Sequence, residues 1–382
     1  MTDAKLEEIF NSDYEVVLIS GLAGWGERSL VSDVINYWNP DTGSSKYTPI
    51  VVDAHPFIHP KYNAIDIFFQ LVGGTAEISQ TEANEMGLLS NKTSTYSGLL
   101  NNPWSKDNKI WIITHSLGVW PALFLQALLA SNYFVENTTY GDRTCVVDTN
   151  ADWIAGMIFI QPATGPTLDG LPYQVAIPGL QAIVFPFLNW LKEAESTTQW
   201  SRYDTFNSIY RIYGFWSDAN KHMIVNFGFN YHNDIIENDV RLFPNTVYVS
   251  IVTDILDSTD TTFSFLNIML RLLNRTFAPT IEKSDGILAW KESTNFNSEF
   301  SSVPNSVRES VKKRFPIVVE NDSFVPFVKL EWHKPGTLRT WLFDFQSTNH
   351  FANTTPSDLL KDNLANLIFE FARGRYLYGC NQ

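Results

Sequence analysis

Ser116 stands in Ile113-Thr114-His115-Ser116-Leu117-Gly118, between a short apolar run and a stretch that is almost wholly apolar. A serine becomes a nucleophile when a tight strand-to-helix turn exposes its Oγ and a histidine takes its proton. That turn is usually written Gly-x-Ser-x-Gly, because positions two before and two after the serine are crowded. Gly118 meets the demand and Thr114 meets it poorly. The plainer alternative is a serine that only caps the helix after it. His115 is adjacent, but neighbouring side chains at such a turn point apart, so it reads as a structural neighbour. Downstream lie His222, His232, His333 and His350. Hydrolases with this turn run nucleophile, acid, histidine along the chain. His350 sits in a polar loop, Gln346-Ser347-Thr348-Asn349-His350, and is the expected general base. His333, within Glu331-Trp332-His333-Lys334, reads as a surface residue. Asp322 follows the apolar Ile317-Val318-Val319 and is the expected acid that orients the imidazole. On local sequence alone it could equally be a solvated turn aspartate, and Asp344 is the next candidate.

These residues need a scaffold. Apolar runs predict strands over 16–20, 49–54, 110–113, 157–160, 246–252 and 338–345. Helical patterns fall over 65–72, 119–130 and 263–273, and Ser357 and Asp358 open a last helix that Gly374 ends. Continuous apolar strands interleaved with helices predict an α/β fold, a mostly parallel sheet with helices on both faces. A Pro-punctuated middle breaks the rhythm. The expectation is one domain over 1–382, carrying a cap or lid insertion at about 165–245.

Composition narrows the partners. The 382 residues carry a formal charge of −14, which repels phosphate backbones and argues against nucleic acid. It also disfavours electrostatic docking onto anionic lipid. The two cysteines, Cys145 and Cys380, cannot form a disulfide framework or a four-cysteine zinc site; two unpaired buried thiols are expected, with a single bridge between them as the alternative. The acidic start, Met1-Thr2-Asp3-Ala4-Lys5-Leu6-Glu7-Glu8, lacks the pattern of a signal peptide. No apolar stretch reaches the roughly 20 residues of a membrane span. A cytoplasmic location is therefore the default expectation.

Several blocks resemble, in register, the lipases of the staphylococcal and thermoalkalophilic bacterial type, which are α/β-hydrolases. They are Gly21-Leu22-Ala23-Gly24-Trp25-Gly26, Gln70-Leu71-Val72-Gly73-Gly74-Thr75, Tyr96-Ser97-Gly98-Leu99-Leu100 and Thr114-His115-Ser116-Leu117-Gly118. Further along come Gln161-Pro162-Ala163-Thr164-Gly165, Pro244-Asn245-Thr246-Val247-Tyr248, Glu320-Asn321-Asp322 and Asn349-His350. The resemblance spans nearly the whole chain. It implies an α/β-hydrolase fold with Ser116 as nucleophile, His350 as general base and Asp322 as orienting acid. It also implies the backbone N–H groups of Leu22 and Leu117 as the oxyanion hole.

The departures are specific. The family's first loop opens His-Gly-Phe where this chain has Ser20-Gly21-Leu22. A small residue stands in the family at Thr114, and a second glycine at Val119. The family's structural zinc uses two His and two Asp, partly in the stretch after Gly-Gly-Thr, yet 76–98 holds no histidine here. Its calcium carboxylate after the catalytic histidine is replaced by Phe351-Ala352-Asn353. No metal and no cofactor is therefore expected. His55 and His59 are flanked by Pro56 and Pro60 and read as loop histidines rather than a helical ligand pair.

Where these lipases carry their lid, 171–191 holds Phe185, Phe187 and Trp190 and no charge through 190. Such a segment could be an apolar flap over an acyl-binding cleft, or a core helix. The expected activity is hydrolysis of triacylglycerol or other long-acyl esters by a serine carboxylic-ester hydrolase. The alternatives are an inactive hydrolase fold that binds lipid or protein, and acyl transfer with the same residues.

Overall fold

The apolar runs become neighbouring strands because burial on both faces is the only arrangement that removes all their side chains from water. The computed structural model describes residues 14–21, 24–25, 28–29, 50–54, 59–85, 91–137, 148–164, 216–217, 223–224, 232–253, 305–320 and 335–343. The expected final helix, the 263–273 helix and most of the 165–245 insertion lie outside them. Seven strands form one sheet: β1 (Glu15–Ile19), β2 (Ile50–Val52), β5 (Ile110–His115), β6 (Ile154–Ile160), β7 (Val247–Thr253), β8 (Ile317–Glu320) and β9 (Leu338–Phe343). Their order is β8-β9-β7-β6-β5-β1-β2, and every neighbouring pair is parallel. Every residue of β5 and β6 is buried.

Two helices cover one face. Helix α1 (Pro60–Val72) packs against α3 (Val119–Ala130), and both join Val17, Ile19, Ile112, Met157 and Phe159 in a single core. Helix α1 begins five residues before the apolar pattern does. Pro60 takes the first helical position, which needs no N–H donor, and the His59 side chain caps the start by accepting from Lys61 N–H at 3.2 Å. Helix α3 is buried along all but its last residue. Its one side-chain amide, Gln126, is consumed inside the protein. It donates to Ala151 O at 3.1 Å and to Thr246 Oγ1 at 2.7 Å, and accepts from Tyr248 O–H at 2.5 Å.

An antiparallel hairpin flanks α1, formed by β3 (Gly74–Ile78) and β4 (Lys92–Tyr96), with the short helix α2 (Gln80–Glu85) between them. Two of the sequence blocks meet here. Gly73 and Gly98 both take positive φ, 82° and 88°. A Cβ on Gly73 would lie 3.0 Å from Ser97 O, and one on Gly98 would lie 3.1 Å from Gly73 N. Leu99 and Leu100 N–H then donate to Leu71 O, sealing the helix end against the strand. Beneath this junction the partly buried Asp66 accepts from Tyr96 O–H at 2.6 Å and Gln70 Nε2–H at 2.9 Å. Burial dominates and raises its carboxyl to about 6, although both hydrogen bonds oppose the shift and Asp53 adds to it. The other helices among the described residues are α4 (Tyr133–Asn137), α5 (His232–Glu237) and α6 (Asn305–Arg314). Among the described residues no helix is long and apolar enough to cross a membrane.

Candidate active site around Ser116

The serine lies where β5 ends. Thr114 and His115 are the last residues of that strand, Ser116 opens a single 3₁₀ turn to Gly118, and α3 follows at once. Ser116 has φ 51°, the left-handed region that a side chain makes costly by about 1–3 kcal/mol. A serine that merely capped a helix would take extended backbone angles instead. In this structure the cap position of α3 falls to Gly118, and no side chain caps it.

The end of β1 presses directly on this turn. A Cβ on Gly21 would lie 2.7 Å from His115 O, 2.7 Å from Ser116 Cβ and 3.2 Å from Leu117 N. One on Gly118 would lie 2.7 Å from Ser20 O and 2.8 Å from Ile19 O. Hydrogen fits at both places and carbon does not. Thr114, by contrast, is accommodated. It lies within the strand, paired with Ile19 and Phe159, fully buried and at home as a β-branched residue. Its Oγ1 has no hydrogen-bond partner among the described residues. The crowding at this turn therefore falls on Gly118 and Gly21. His115 is fully buried and, by strand alternation, faces the side of the sheet opposite Thr114.

Ser116 is tied on by its carbonyl. That oxygen accepts from Val119 N–H within the turn and from Ala163 N–H at 3.1 Å, across from the segment after β6. Ala163 O in turn accepts from the Trp120 indole N–H at 2.9 Å. Gln161, also at positive φ (48°), donates its N–H to Ile251 O on β7 at 2.8 Å. The 161–165 block was visible in the sequence only as a resemblance. Trp120 passed as one more apolar residue of α3, and its position four after the serine was the available signal.

Of the candidate residues, Ser116 is buried and Leu117 half-buried, both at the turn. Leu22, Asp322, His350, Phe185, Phe187, Trp190, Cys145 and Cys380 lie outside the described residues. The strands that lead towards the acid and the base are described. β8 ends at Glu320 and β9 at Phe343, and both run parallel to the rest of the sheet, so their carboxyl ends lie on the edge that bears Ser116. Crevices at the carboxyl ends of parallel strands are where ligands bind in open α/β sheets. His59 has its own work: besides capping α1, its Nε2 lies 3.2 Å from Asp234 Oδ2. Among the described residues, no three His, Cys, Asp or Glu side chains gather as metal ligands would.

No protein-family model and no curated protein matches the sequence. Solved structures do. EstA from Clostridium botulinum superposes with a TM-score of 0.59 at 16% identity, over 96% of this chain and 88% of that one. The Staphylococcus hyicus lipase gives 0.59 at 14% identity, over 96% and 97%. Lipase 1 from Pelosinus fermentans gives 0.56 at 16%, over 96% and 98%. The chain has the α/β-hydrolase fold. At such identities the likeness is one of architecture. In that architecture Ser116 stands at the carboxyl end of the third strand of the chain's parallel sheet, near its middle.

Proposed function

We propose that this protein is a serine carboxylic-ester hydrolase of lipase type, acting on triacylglycerol or other long-acyl esters through an acyl-enzyme. One observation carries the reading: the left-handed Ser116, wedged between β5 and α3 with Gly21 against its Cβ. A residue is held in that strained geometry only when its surroundings over-determine it, and here they do so at the sheet edge where substrates bind. The turn reads as a nucleophile elbow.

In this reading Ser116 Oγ attacks the ester carbonyl carbon as its proton passes to His350, whose orientation and positive charge Asp322 supports. The carbonyl oxygen becomes an oxyanion held by the N–H groups of Leu22 and Leu117. Collapse of the tetrahedral intermediate breaks the bond to the alkoxide, which takes the proton from His350 and leaves an acyl-Ser116 ester. Water, activated by the same histidine, then releases the fatty acid. The reaction draws on no cofactor and no metal. The residues 171–191, with Phe185, Phe187 and Trp190, supply the lid and acyl contacts.

A fluorophosphonate probe tests the proposal. Labelling at Ser116 that disappears in Ser116→Ala supports it, together with loss of about 10⁴-fold or more in esterase rate for Asp322→Asn and His350→Ala. Absence of labelling in the folded wild type would overturn the esterase reading in favour of an inactive binding module. Esters of rising acyl length, assayed with and without an alcohol acceptor, then define the chain length and separate hydrolysis from acyl transfer.

A further inference from the structure

We infer that Trp120 is a positioning residue of this site, whose indole N–H, acting through Ala163, aims the Leu117 amide at the oxyanion; the inference rests on the esterase reading above. One peptide plane links the clamp to the oxyanion donor. Ser116 C=O and Leu117 N–H belong to the same planar group and point in opposite directions, so whatever fixes the carbonyl fixes the amide. Among the described residues the carbonyl has two partners. Val119 N–H is part of the turn and moves with it, so it cannot set the turn's orientation against the sheet. Ala163 N–H, at 3.1 Å, comes from outside and can.

Ala163 is itself held from two directions. Its N–H is spent on Ser116 O, and its C=O receives the Trp120 indole N–H at 2.9 Å. Both polar groups of one residue are thus engaged by positions 116 and 120, four apart at the start of α3. This makes a two-point clamp, which fixes direction as well as distance. The loop carrying Ala163 is anchored to the sheet in turn, because Gln161 N–H donates to Ile251 O at 2.8 Å on β7. The chain of constraint runs from β7 through Gln161 and Ala163 to the Ser116–Leu117 peptide, and the indole closes it. Trp120 is fully buried, and so are its α3 neighbours Val119, Leu123 and Phe124. What those side chains lack is an N–H directed at a carbonyl.

The experiment is Trp120→Phe in the full chain, with kinetics on a soluble short-chain ester normalised by active-site titration. Removing an oxyanion donor outright costs on the order of 10²–10³ in kcat, so misaiming one should lower kcat on the order of 10-fold. KM should stay within about twofold, because the ground-state ester does not yet bear the charge. Affinity for an alkyl boronic acid, whose tetrahedral adduct on Ser116 occupies the oxyanion position, should fall by the same factor as kcat. A variant with a lower Tm but unchanged kcat and boronate affinity would show Trp120 to be packing alone, and would overturn the inference. Should Trp120→Phe fail to fold, benzothienylalanine at position 120 decides the matter, since it keeps the ring's shape and removes only the N–H. Wild type that fluorophosphonate does not label at Ser116 overturns the esterase reading, and the inference with it. Labelled, active wild type beside an unimpaired benzothienylalanine protein overturns the inference alone.

Discussion

Gly21→Ala isolates the contact on which the geometry of the site depends. Position 21 has no backbone that forbids alanine, so the whole effect comes from one methyl group. That carbon would lie 2.7 Å from Ser116 Cβ and 2.7 Å from His115 O. Carbon atoms settle about 3.5–4.0 Å apart, so either the loop after β1 or the Ser116 turn must move by about 1 Å. A displacement of that size at reacting groups can cost about 100-fold in rate. The loop that moves also carries Leu22, the second proposed oxyanion donor, so kcat/KM on a short soluble ester should fall about 100-fold. Stability should fall by only about 1–3 kcal/mol, the usual range for overpacking, as read from urea unfolding. The comparison variant is Gly156→Ala in β6, whose Cβ would lie 2.2 Å from the ring of the fully buried Trp111. That change strikes the sheet away from the turn. It should cost about 3 kcal/mol or more in stability while leaving kcat/KM per active site within about threefold. Equal losses of activity in the two variants, or near-normal kcat/KM in a well-folded Gly21→Ala, would refute the argument that this contact sets the serine's position.

Three other outcomes are expected, two from the structure and the last from the sequence of 171–191. Burial lifts the Asp66 carboxyl to about 6 from an unfolded value of 3.8, so the folded state binds its proton more tightly and this group's contribution to stability declines as pH rises from about 4 to above 6. The penalty at neutral pH is on the order of 2–3 kcal/mol, and urea titrations at pH 4.5 and 7.5 should show that difference shrinking in Asp66→Asn. Gln126→Leu should destabilise by about 3 kcal/mol, because Tyr248 O–H and Thr246 Oγ1 lose a buried partner, without altering activity per folded molecule; an unchanged urea midpoint would count against the network. If 171–191 is the lid, activity should rise once an ester passes its solubility limit, and Phe185→Asp or Phe187→Asp should abolish that rise while sparing short soluble esters. Unfolding of both variants would make the segment core instead.

What could be read from the sequence was what burial writes into it. β1, β5 and β6 appear as unbroken apolar runs because parallel strands have no solvent face, and α3 was bounded at the residues the structure gives. The β3–β4 hairpin left no such trace. Lys92-Thr93-Ser94-Thr95-Tyr96 is polar, and its place depends on partners far along the chain: Tyr96 on Asp66, and Gly98 against Gly73. The apolar pattern places the start of helix α1 at Ile65, whereas the helix begins at Pro60, because its first turn carries no apolar run and proline suits the first helical position. The site divides along the same line. Ser116 was visible because a strand, a small turn and a helix occur in immediate succession. The pressure of Gly21 and the clamp through Ala163 were not, because each depends on how three strands stand side by side. Thr114 shows the converse error: a pattern rule treats the positions around the serine as symmetric, but the structure does not. Thr114, two before the serine, lies in the sheet, where a β-branched side chain has room on the helix face. Gly118, two after it, faces the backbone of Ile19 and Ser20, where only hydrogen fits. A glycine is therefore required physically on one side of Ser116 and is only customary on the other, so Thr114 gives no reason to consider the turn unfit for catalysis.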